Sequence, residues 1–350
     1  MSKKETYVVA VDSGKSATKT VAGKFDDVIT SRERFYTRME PTQEVSPSTS
    51  GSYIFEFNGD RVEIGRSESL DSTETTKALD VHKYCTYASI GVHGIPSGSD
   101  IILSVGCPLS EFTNTQNREK YIYYILGLDE NASVDLSNLN LEISFKLNNK
   151  ELKYTIKEFH VYPETTGATN YEYLLEALGT FAVVDIGGLN VNGAIFEENM
   201  DGIPEITKAV TLEYGGNMFL KDLSQQIFQK YGLSLNQQAL LRSLDRGSLL
   251  LSGKEVVEGS VEFLHAEKTK YLQRIINGLR GRQWDLKAYP YVFIGGASQI
   301  FQDVIVKVDG WKEATFSQEP IWENVEGFGY LSGLVEYEEE AVDAEETVEA

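Results

Sequence analysis

The chain has 350 residues, of which 41% are hydrophobic and 24% charged, so it can bury sizeable cores and is expected to form about two domains. Its net charge of −21 argues against direct binding to nucleic acid, which needs lysine and arginine to replace counterions. No apolar stretch has the length of a transmembrane helix or the features of a signal peptide, so we expect a cytoplasmic protein with no membrane partner. Cys85 and Cys107 lack metal-ligand spacing and fit a reducing compartment.

The order of the predicted elements indicates an α/β fold with mixed sheets, because strands alternate with helices and several consecutive strands form hairpins. The first half is predicted to contain three strands within residues 7–36, the third from residue 28, further strands at 53–57, 61–64, 100–107, 141–147 and 154–162, and helices at 80–92 and 115–126. The second half is predicted to contain strands at 181–186, 191–196, 205–212 and 291–294. Its helices are predicted from residue 163 to about 178, between Gly216 and Gly232, at 236–244, at 255–279, after Ser298, and at 325–336.

Two stretches of the chain share one pattern, an apolar strand that ends in aspartate and is followed by a small-residue turn and a second strand. The first is at Asp12-Ser13-Gly14 and the second at Asp185-Ile186-Gly187-Gly188. Such turns expose backbone N–H groups that an anion can approach closely, and the aspartate is placed to hold a cation. The repeat indicates two related domains that clamp one polyphosphate between them. The alternative for either stretch alone is an ordinary hairpin with a glycine turn.

A third glycine turn, Gly295-Gly296-Ala297-Ser298, follows a predicted buried strand and precedes a short helix. The backbone of such a turn can approach a ribose or a phosphate, and the start of the helix adds positive potential. The alternative is close packing of the strand against the helix. Lys15-Ser16 after Gly14 invites a P-loop interpretation, which is disfavoured because the glycine required five residues before Gly14 is Val9 and a strand follows.

Glu164 lies at the predicted junction of a long strand and a helix. A carboxylate in the first turn of a helix stays ionised readily because the helix dipole favours its charge. Such a group can orient a water molecule for attack on a phosphate, and its position shortly before the second aspartate hairpin favours that role. The alternative is a glutamate that only caps the helix.

Together, the aspartate hairpins, the acid at Glu164 and the turn at Gly295 resemble, in their order along the chain, the nucleotide-binding core of the actin superfamily. Lys19 stands seven residues after the first aspartate, where actins carry a lysine that contacts phosphates. Within the superfamily the chain is most similar to ParM-type bacterial plasmid-segregation actins. The stretches that carry this likeness are Gly106-Cys107-Pro108-Leu109-Ser110-Glu111-Phe112, Tyr162-Pro163-Glu164 and Glu213-Tyr214-Gly215-Gly216.

The resemblance implies an actin-like (ribonuclease-H-like) fold of duplicated domains, with ATP, or GTP as the alternative, and Mg²⁺ in the cleft. Asp12 and Asp185 would hold the metal through its waters, and Glu164 would position the attacking water. Leu189-Asn190 stands where relatives often carry threonine or serine, so contacts are expected to differ most there. The residues implied in binding nucleotide or phosphate are Ser13, Gly14, Lys15, Ser16, Lys19, Gly187, Gly188, Leu189, Asn190, Gly215, Gly216, Gly295, Gly296, Ala297 and Ser298.

The expected domain boundaries follow the same resemblance. Domain I would comprise residues 1–168 and 320–337, with a small inserted subdomain at about 31–100, and domain II would comprise residues 169–319. Residues 336–350 carry eight acidic residues and no basic one. A block of like charge with few apolar residues favours disorder, so an acidic disordered tail is expected at 338–350.

The implied function is that of a filament-forming ATPase that segregates plasmid DNA through a DNA-bound adaptor of the ParR type. An acidic chain that leaves DNA binding to an adaptor fits this division of labour. The alternatives are a monomeric sugar or metabolite kinase on the same fold, a chaperone-type ATPase, and a cell-shape or archaeal-type actin. We find no aspartate motif suited to a kinase base, and no substrate-binding domain follows residue 335, which disfavours the first two.

Overall fold

The structure is a computed structural model that describes residues 4–66, 76–129, 132–167, 179–200 and 204–335. Two sheets dominate these residues. The first is built from nine strands: β1 (Thr6–Ser13), β2 (Ala17–Lys24), β3 (Ser31–Tyr36), β4 (Met39–Pro41), β5 (Tyr53–Phe57), β6 (Asp60–Ile64), β7 (Asp100–Cys107), β8 (Leu141–Leu147) and β9 (Lys150–Pro163). Their order is β3-β2-β1-β7-β9-β8-β5-β6-β4.

The second sheet repeats the strand arrangement of one half of the first. Its strands are β10 (Thr180–Ile186), β11 (Val191–Glu198), β12 (Pro204–Leu212), β15 (Tyr291–Ile294) and β16 (Thr315–Phe316), in the order β12-β11-β10-β15-β16. A separate hairpin pairs β13 (Leu250–Leu251) with β14 (Glu255–Val256). In both sheets the leading strand pairs antiparallel with the strand after it and parallel with a strand much later in the chain. This shared topology places Asp12 and Asp185 at equivalent strand ends.

Helices cover the sheets and supply the apolar faces that close the cores. They are α1 (Asp80–Val92), α2 (Leu109–Phe112), α3 (Thr115–Leu126), α4 (Gly216–Tyr231), α5 (Gln237–Arg246), α6 (Ser260–Gly281), α7 (Ser298–Ile305) and α8 (Glu323–Tyr330). No helix within the described ranges combines the length and the apolarity that crossing a bilayer requires.

Each sheet has its own apolar core. Val9, Leu103 and Tyr121 belong to the core of the first sheet, whereas Phe293 and Trp311 belong to that of the second. A smaller cluster joins the other face of β1 and β7 to α8, through residues that include Ala10, Ile102 and Phe328. The last described helix therefore packs on the first sheet, although the strand before it lies in the second. The division of the chain into domains stays a prediction.

The predicted fold class, α/β with mixed sheets, is confirmed, and most predicted elements are present within a few residues of their expected bounds. The helix expected at 255–279 begins only at Ser260, because Glu255 and Val256 pair in a hairpin and Gly259 has a φ of 69°. The helix expected at 325–336 spans Glu323–Tyr330 and stops before Gly333, whose φ is 103°. The third strand begins at residue 31 and not at 28. Of the helix expected from residue 163 to about 178, the part after residue 167 lies outside the described residues, as does the acidic tail expected at 338–350.

Candidate functional site

Two aspartates are the next-to-last residues of equivalent strands in the duplicated hairpins. Asp12 faces Lys19 in the register of β1 and β2, and Asp185 faces Asn192 in the register of β10 and β11. Both aspartates are buried, at 4% and 7% exposure. The hairpins predicted from the repeated sequence pattern are therefore present, each with an acid at the same step of the same topology.

Asp12 is surrounded by cations. Its carboxylate forms an ion pair with Lys19 and lies 3.3 Å from the Nζ of Lys77, a side chain that is only 1% exposed. Burial alone would raise the pKa of Asp12, but Lys19 and Lys77 together hold it well below its usual range. The two lysines therefore favour the charged form of the Asp12 carboxylate.

Glu164 is held between the two sheets by one contact on each carboxylate oxygen. Its Oε1 lies 2.7 Å from the Nζ of Lys77, and its Oε2 accepts a hydrogen bond of 2.8 Å from the Nδ2 of Asn192. The expectation that Glu164 stands in the first turn of a helix is wrong, because residues 164–165 form a turn directly after β9. A lysine and an asparagine therefore fix the position of this carboxylate.

Lys77 stays protonated although it is almost fully enclosed. Burial opposes its charge, but the neighbouring carboxylates of Glu164 and Asp12 outweigh burial and raise the pKa of Lys77. The ammonium group thus links two acids that the sequence analysis assigned to the site. Lys77 itself was not predicted.

Asp185 has a different environment from its counterpart. Its Oδ2 accepts a hydrogen bond of 2.8 Å from the Nδ2 of Asn324, and burial, followed by the charge of Glu164, raises its pKa to about 6. Gly295, with a φ of 83°, lies so close that a Cβ atom at that position would collide with Oδ1 of Asp185. The third glycine turn is therefore packed directly on the second aspartate.

The turn after Asp185 presents backbone donors. Among the described residues, nothing accepts a hydrogen bond from the N–H groups of Gly188 and Leu189, whereas the N–H of Gly187 donates to the carbonyl of Asn190 at 3.0 Å. Bare N–H groups in a turn of this kind make a concavity that suits an anion. Gly187, Gly188, Leu189 and Asn190 thus form the turn that follows Asp185, and their contacts with nucleotide stay a prediction.

The start of α4 braces this turn. The N–H groups of Gly215, Gly216 and Asn217 donate to the carbonyls of Leu189, Gly187 and Gly188 at 2.8, 2.8 and 2.7 Å. These three donors are therefore engaged by protein. Gly215 and Gly216 position the second turn through these bonds, and a contact of either residue with nucleotide stays a prediction.

The two turns touch across the sheets. The Nδ2 of Asn217 donates to the Oγ of Ser16 at 3.0 Å, and a Cβ placed on Gly188 would lie 3.0 Å from the same Oγ. Ser16 thus lies where the first turn meets the second. A polyphosphate that binds between the turns must separate these groups.

The other residues that the sequence assigns to nucleotide binding form hydrogen bonds within the protein. The Nζ of Lys15 donates to the carbonyl of Thr76 at 2.6 Å, and the Oγ of Ser13 hydrogen-bonds to Nδ1 of His82 at 2.9 Å. Gly14 closes the first turn by donating its N–H to the carbonyl of Asp12 at 2.9 Å. In the third turn, Ala297 donates its N–H to the carbonyl of Ile186, and Ser298 donates its hydroxyl to the carbonyl of Gly295. Gly296 lies between Gly295 and Ala297 in this turn.

Sequence reasoning missed Lys77, Asn192 and Asn324. Asn192 could have been found, since it stands seven residues after Asp185 as Lys19 stands seven after Asp12. Lys77 and Asn324 carry no such signal, because each reaches the site from a distant part of the chain.

A groove of about 460 Å³ between β5, β6 and β8 contains none of the assigned residues.

The site residues fit magnesium only with help from other ligands. Within the described ranges, no group of three or more His, Cys, Asp or Glu side chains is arranged to hold a metal. Magnesium commonly takes one or two carboxylates and completes its shell with water and substrate phosphates. Asp185 suits this role better than Asp12, because among the described residues it has an amide partner and no ion pair, whereas Asp12 is compensated by two lysines.

His82, which is buried, and His93, which is half-buried, predict that the protein loses stability in mild acid. Burial lowers the pKa of His82 to about 3 and that of His93 to about 4, from an ordinary value near 6.5. As pH falls below 6.5 the unfolded chain binds the proton first, so each histidine lowers the free energy of unfolding by about 2 kcal/mol between pH 7 and pH 5. Urea unfolding at the two pH values measures this loss. The variant His93→Gln should lose about 2 kcal/mol less, and an unchanged loss would contradict the assignment.

Comparison of the sequence with families of known proteins gives a match for the first part of the chain. Residues 10–167 match the family described as the actin-like proteins N-terminal domain. No curated protein sequence matches the chain. The matched segment contains the end of β1, the first aspartate turn, Lys77 and Glu164.

Solved structures extend the likeness to almost the whole chain. An archaeal actin homologue, Ta0583, aligns with a TM-score of 0.70 at 18% identity, over 93% of this chain and 98% of its own, and that protein has also been solved in complex with ADP. A 15-stranded ParM filament from Clostridium botulinum aligns with a TM-score of 0.67 at 15% identity, over 93% and 99%. An Alp12 filament aligns with a TM-score of 0.63 at 23% identity, over 93% and 98%. The expected actin-like fold is confirmed.

Proposed function

Because this chain has the actin-like fold of archaeal and plasmid actin homologues, we propose that it is a filament-forming ATPase that segregates plasmid DNA through a DNA-bound adaptor of the ParR type. One observation carries the proposal. The carboxylate of Glu164 is fixed by Lys77 on one side and Asn192 on the other, between two duplicated aspartate hairpins. Structures with the same fold that form filaments, including ParM and Alp12, support the assembly part of the proposal.

The nucleotide lies between the two aspartate turns. The N–H groups of Gly188 and Leu189 donate to phosphate oxygens, and Lys19 compensates negative charge from the opposite hairpin. Binding requires that the contact of Ser16 with Asn217 opens, since these side chains are 3.0 Å apart. Nucleotide entry is therefore linked to a change in the distance between the two sheets. ATP is the proposed substrate, with GTP as the alternative.

Hydrolysis uses the chain's own groups mainly to position water. Glu164 accepts a hydrogen bond from the attacking water and aims it, since both its oxygens are held in place and one can exchange its present partner for water. Lys77 holds one oxygen of Glu164 in place and favours the charged form of Asp12. Magnesium, when bound near Asp185 and Asp12, supplies neutralisation of the phosphate charge.

Assembly follows from the head-to-tail contacts that an asymmetric surface allows. A heterologous contact that does not close into a ring generates an open filament. With a net charge of −21, the filament itself repels DNA, so the cargo is captured by a basic adaptor. Hydrolysis alters the separation of the two sheets and so weakens contacts between subunits.

Parallel time courses of light scattering and phosphate release test this function. At micromolar protein with Mg-ATP, we expect scattering to rise first and phosphate release to follow, because assembly brings the site into its active geometry. ADP should give neither signal. A protein that releases phosphate while staying monomeric at high concentration would contradict the proposal, and transfer of phosphate to a sugar would indicate the kinase alternative.

A further inference from the structure

The chain crosses twice between the sheets, and the two crossings touch. The first crossing leaves the first sheet after Pro163, and its described part is residues 164–167. The second crossing, residues 317–322, returns from β16 to the start of α8. A Cβ atom on Gly167 would lie 2.6 Å from the carbonyl carbon of Glu323 and 2.9 Å from the backbone nitrogen of Asn324. The first crossing therefore contacts the backbone at the start of α8, where the second crossing ends, and only glycine fits at this point.

Asn324, at the start of α8, binds the first crossing and the second aspartate together. Its Oδ1 accepts hydrogen bonds from the N–H groups of Thr165 and Gly167 at 3.0 and 3.2 Å, and its Nδ2 donates to Oδ2 of Asp185 at 2.8 Å. Two backbone donors require the oxygen on one side, and a carboxylate requires the amino group on the other, so the partners fix the orientation of the amide. Asn324 is 7% exposed, so water does not compete freely for these bonds.

The backbone that Asn324 holds is in an unusual conformation. Thr165 has a φ of 110°, which is rare for a β-branched residue, and its side chain is fully buried. Such conformations persist only where the surroundings determine them, and they occur often in segments that switch. The hydrogen bonds from Thr165 and Gly167 to one side chain supply that support. Loss of Asn324 would release the first crossing.

We propose that Asn324 is a positioning residue that couples the carboxylate of Asp185 to the backbone of the first crossing, so that a ligand at Asp185 changes the angle between the two sheets. The inference rests on the proposed function, because it takes that ligand to be a magnesium nucleotide. A ligand that draws Asp185 away alters its bond with Asn324. The same amide accepts hydrogen bonds from the backbone of Thr165 and Gly167, so a shift of Asn324 moves that backbone. This connects the opening of the Ser16–Asn217 contact to the backbone of the first crossing.

Three variants separate coupling from simple support. Asn324→Asp keeps an oxygen for both backbone donors but places a carboxylate against Asp185. Asn324→Ser removes the long amide without adding charge. Asn324→Asp combined with Asp185→Asn restores one amide–carboxylate hydrogen bond with donor and acceptor exchanged. The matched control is Asn277→Asp on the exposed face of α6.

Hydrogen exchange of the full chain, in peptides that contain Thr165 and Gly167, is the measurement, with and without Mg-AMPPNP as the probe. In the wild type we expect the nucleotide to change the exchange rate of these amides at least fivefold. In Asn324→Asp the change should fall below twofold, and in the control it should match the wild type. The double variant should bring nucleotide-free exchange back to within twofold of the wild-type rate. A purely structural role would speed exchange equally in both states and leave their ratio unchanged.

The outcomes distinguish this inference from the function on which it rests. If the wild type shows no shift of its thermal midpoint with Mg-AMPPNP, nucleotide binding fails, and both proposals are overturned. If the nucleotide binds but the exchange response is equal in the wild type and Asn324→Asp, only the coupling role is overturned. If Asn324→Asp loses its near-ultraviolet circular dichroism, Asn324→Ser is measured in its place with the same expected ratio, and a wild-type response there overturns the role.

Discussion

Replacing Glu164 by glutamine is expected to slow ATP hydrolysis by at least 100-fold while filaments still assemble. Glutamine has the same shape and can keep its hydrogen bond to Asn192, but its neutral amide accepts poorly from the attacking water and no longer pairs with Lys77. Losing a positioned base typically costs 10²- to 10⁴-fold in rate. Assembly persists because nucleotide binding does not need this carboxylate.

Single-turnover phosphate release from preassembled filaments measures the effect without interference from product release. The exposed substitution Glu142→Gln on β8 is the matched control and should hydrolyse at the wild-type rate. Retention of more than a tenth of the wild-type rate in Glu164→Gln would remove Glu164 from the mechanism. Loss of assembly together with hydrolysis would instead assign Glu164 a role in nucleotide binding.

Replacing Lys77 by methionine should lower the free energy of unfolding by about 3–5 kcal/mol, the usual cost of leaving buried charges without a partner. Methionine keeps the length and apolar stem of lysine, so packing changes little. The carboxylates of Asp12 and Glu164 would then face each other with less compensation. Urea denaturation of the nucleotide-free protein measures the change.

The double variant Lys77→Met with Glu164→Gln tests the cause of that loss. Removing one carboxylate together with the lysine should recover part of the stability, because coupled charges are not additive. Lys153→Met on β9, where the side chain is 66% exposed, is the control and should change stability by less than about 1 kcal/mol. A double variant less stable than Lys77→Met alone would show that Lys77 acts through packing and not through charge.

The aspartate hairpins could be predicted because their determinants are local. A β-branched strand, an aspartate and a glycine turn are adjacent in sequence, and their repetition predicted the shared topology of the two sheets. The turn at Gly295 was also recognisable, although its contact with Asp185 was not. Local pattern thus gave the positions of the backbone groups but not their partners.

The partners depend on contacts between distant parts of the chain. Lys77 and Glu164 are 87 positions apart, and Asn324 and Asp185 are 139 apart. Sequence periodicity gives no information about contacts between residues so far apart. Glu164 was expected at the start of a helix, whereas the structure turns there with Thr165 at a positive φ. Helix α6 begins late for a similar reason, since pairing of β13 with β14 overrides the helical pattern of Glu255 and Val256. In each case a tertiary contact outweighed local preference.

Electron microscopy of the purified chain with Mg-ATP, beside a matched sample with Mg-ADP, shows whether the nucleotide state controls filament assembly. We expect long filaments with ATP, and single particles or short fragments with ADP. Single particles with both nucleotides, at a protein concentration where calorimetry finds the site saturated, would contradict it.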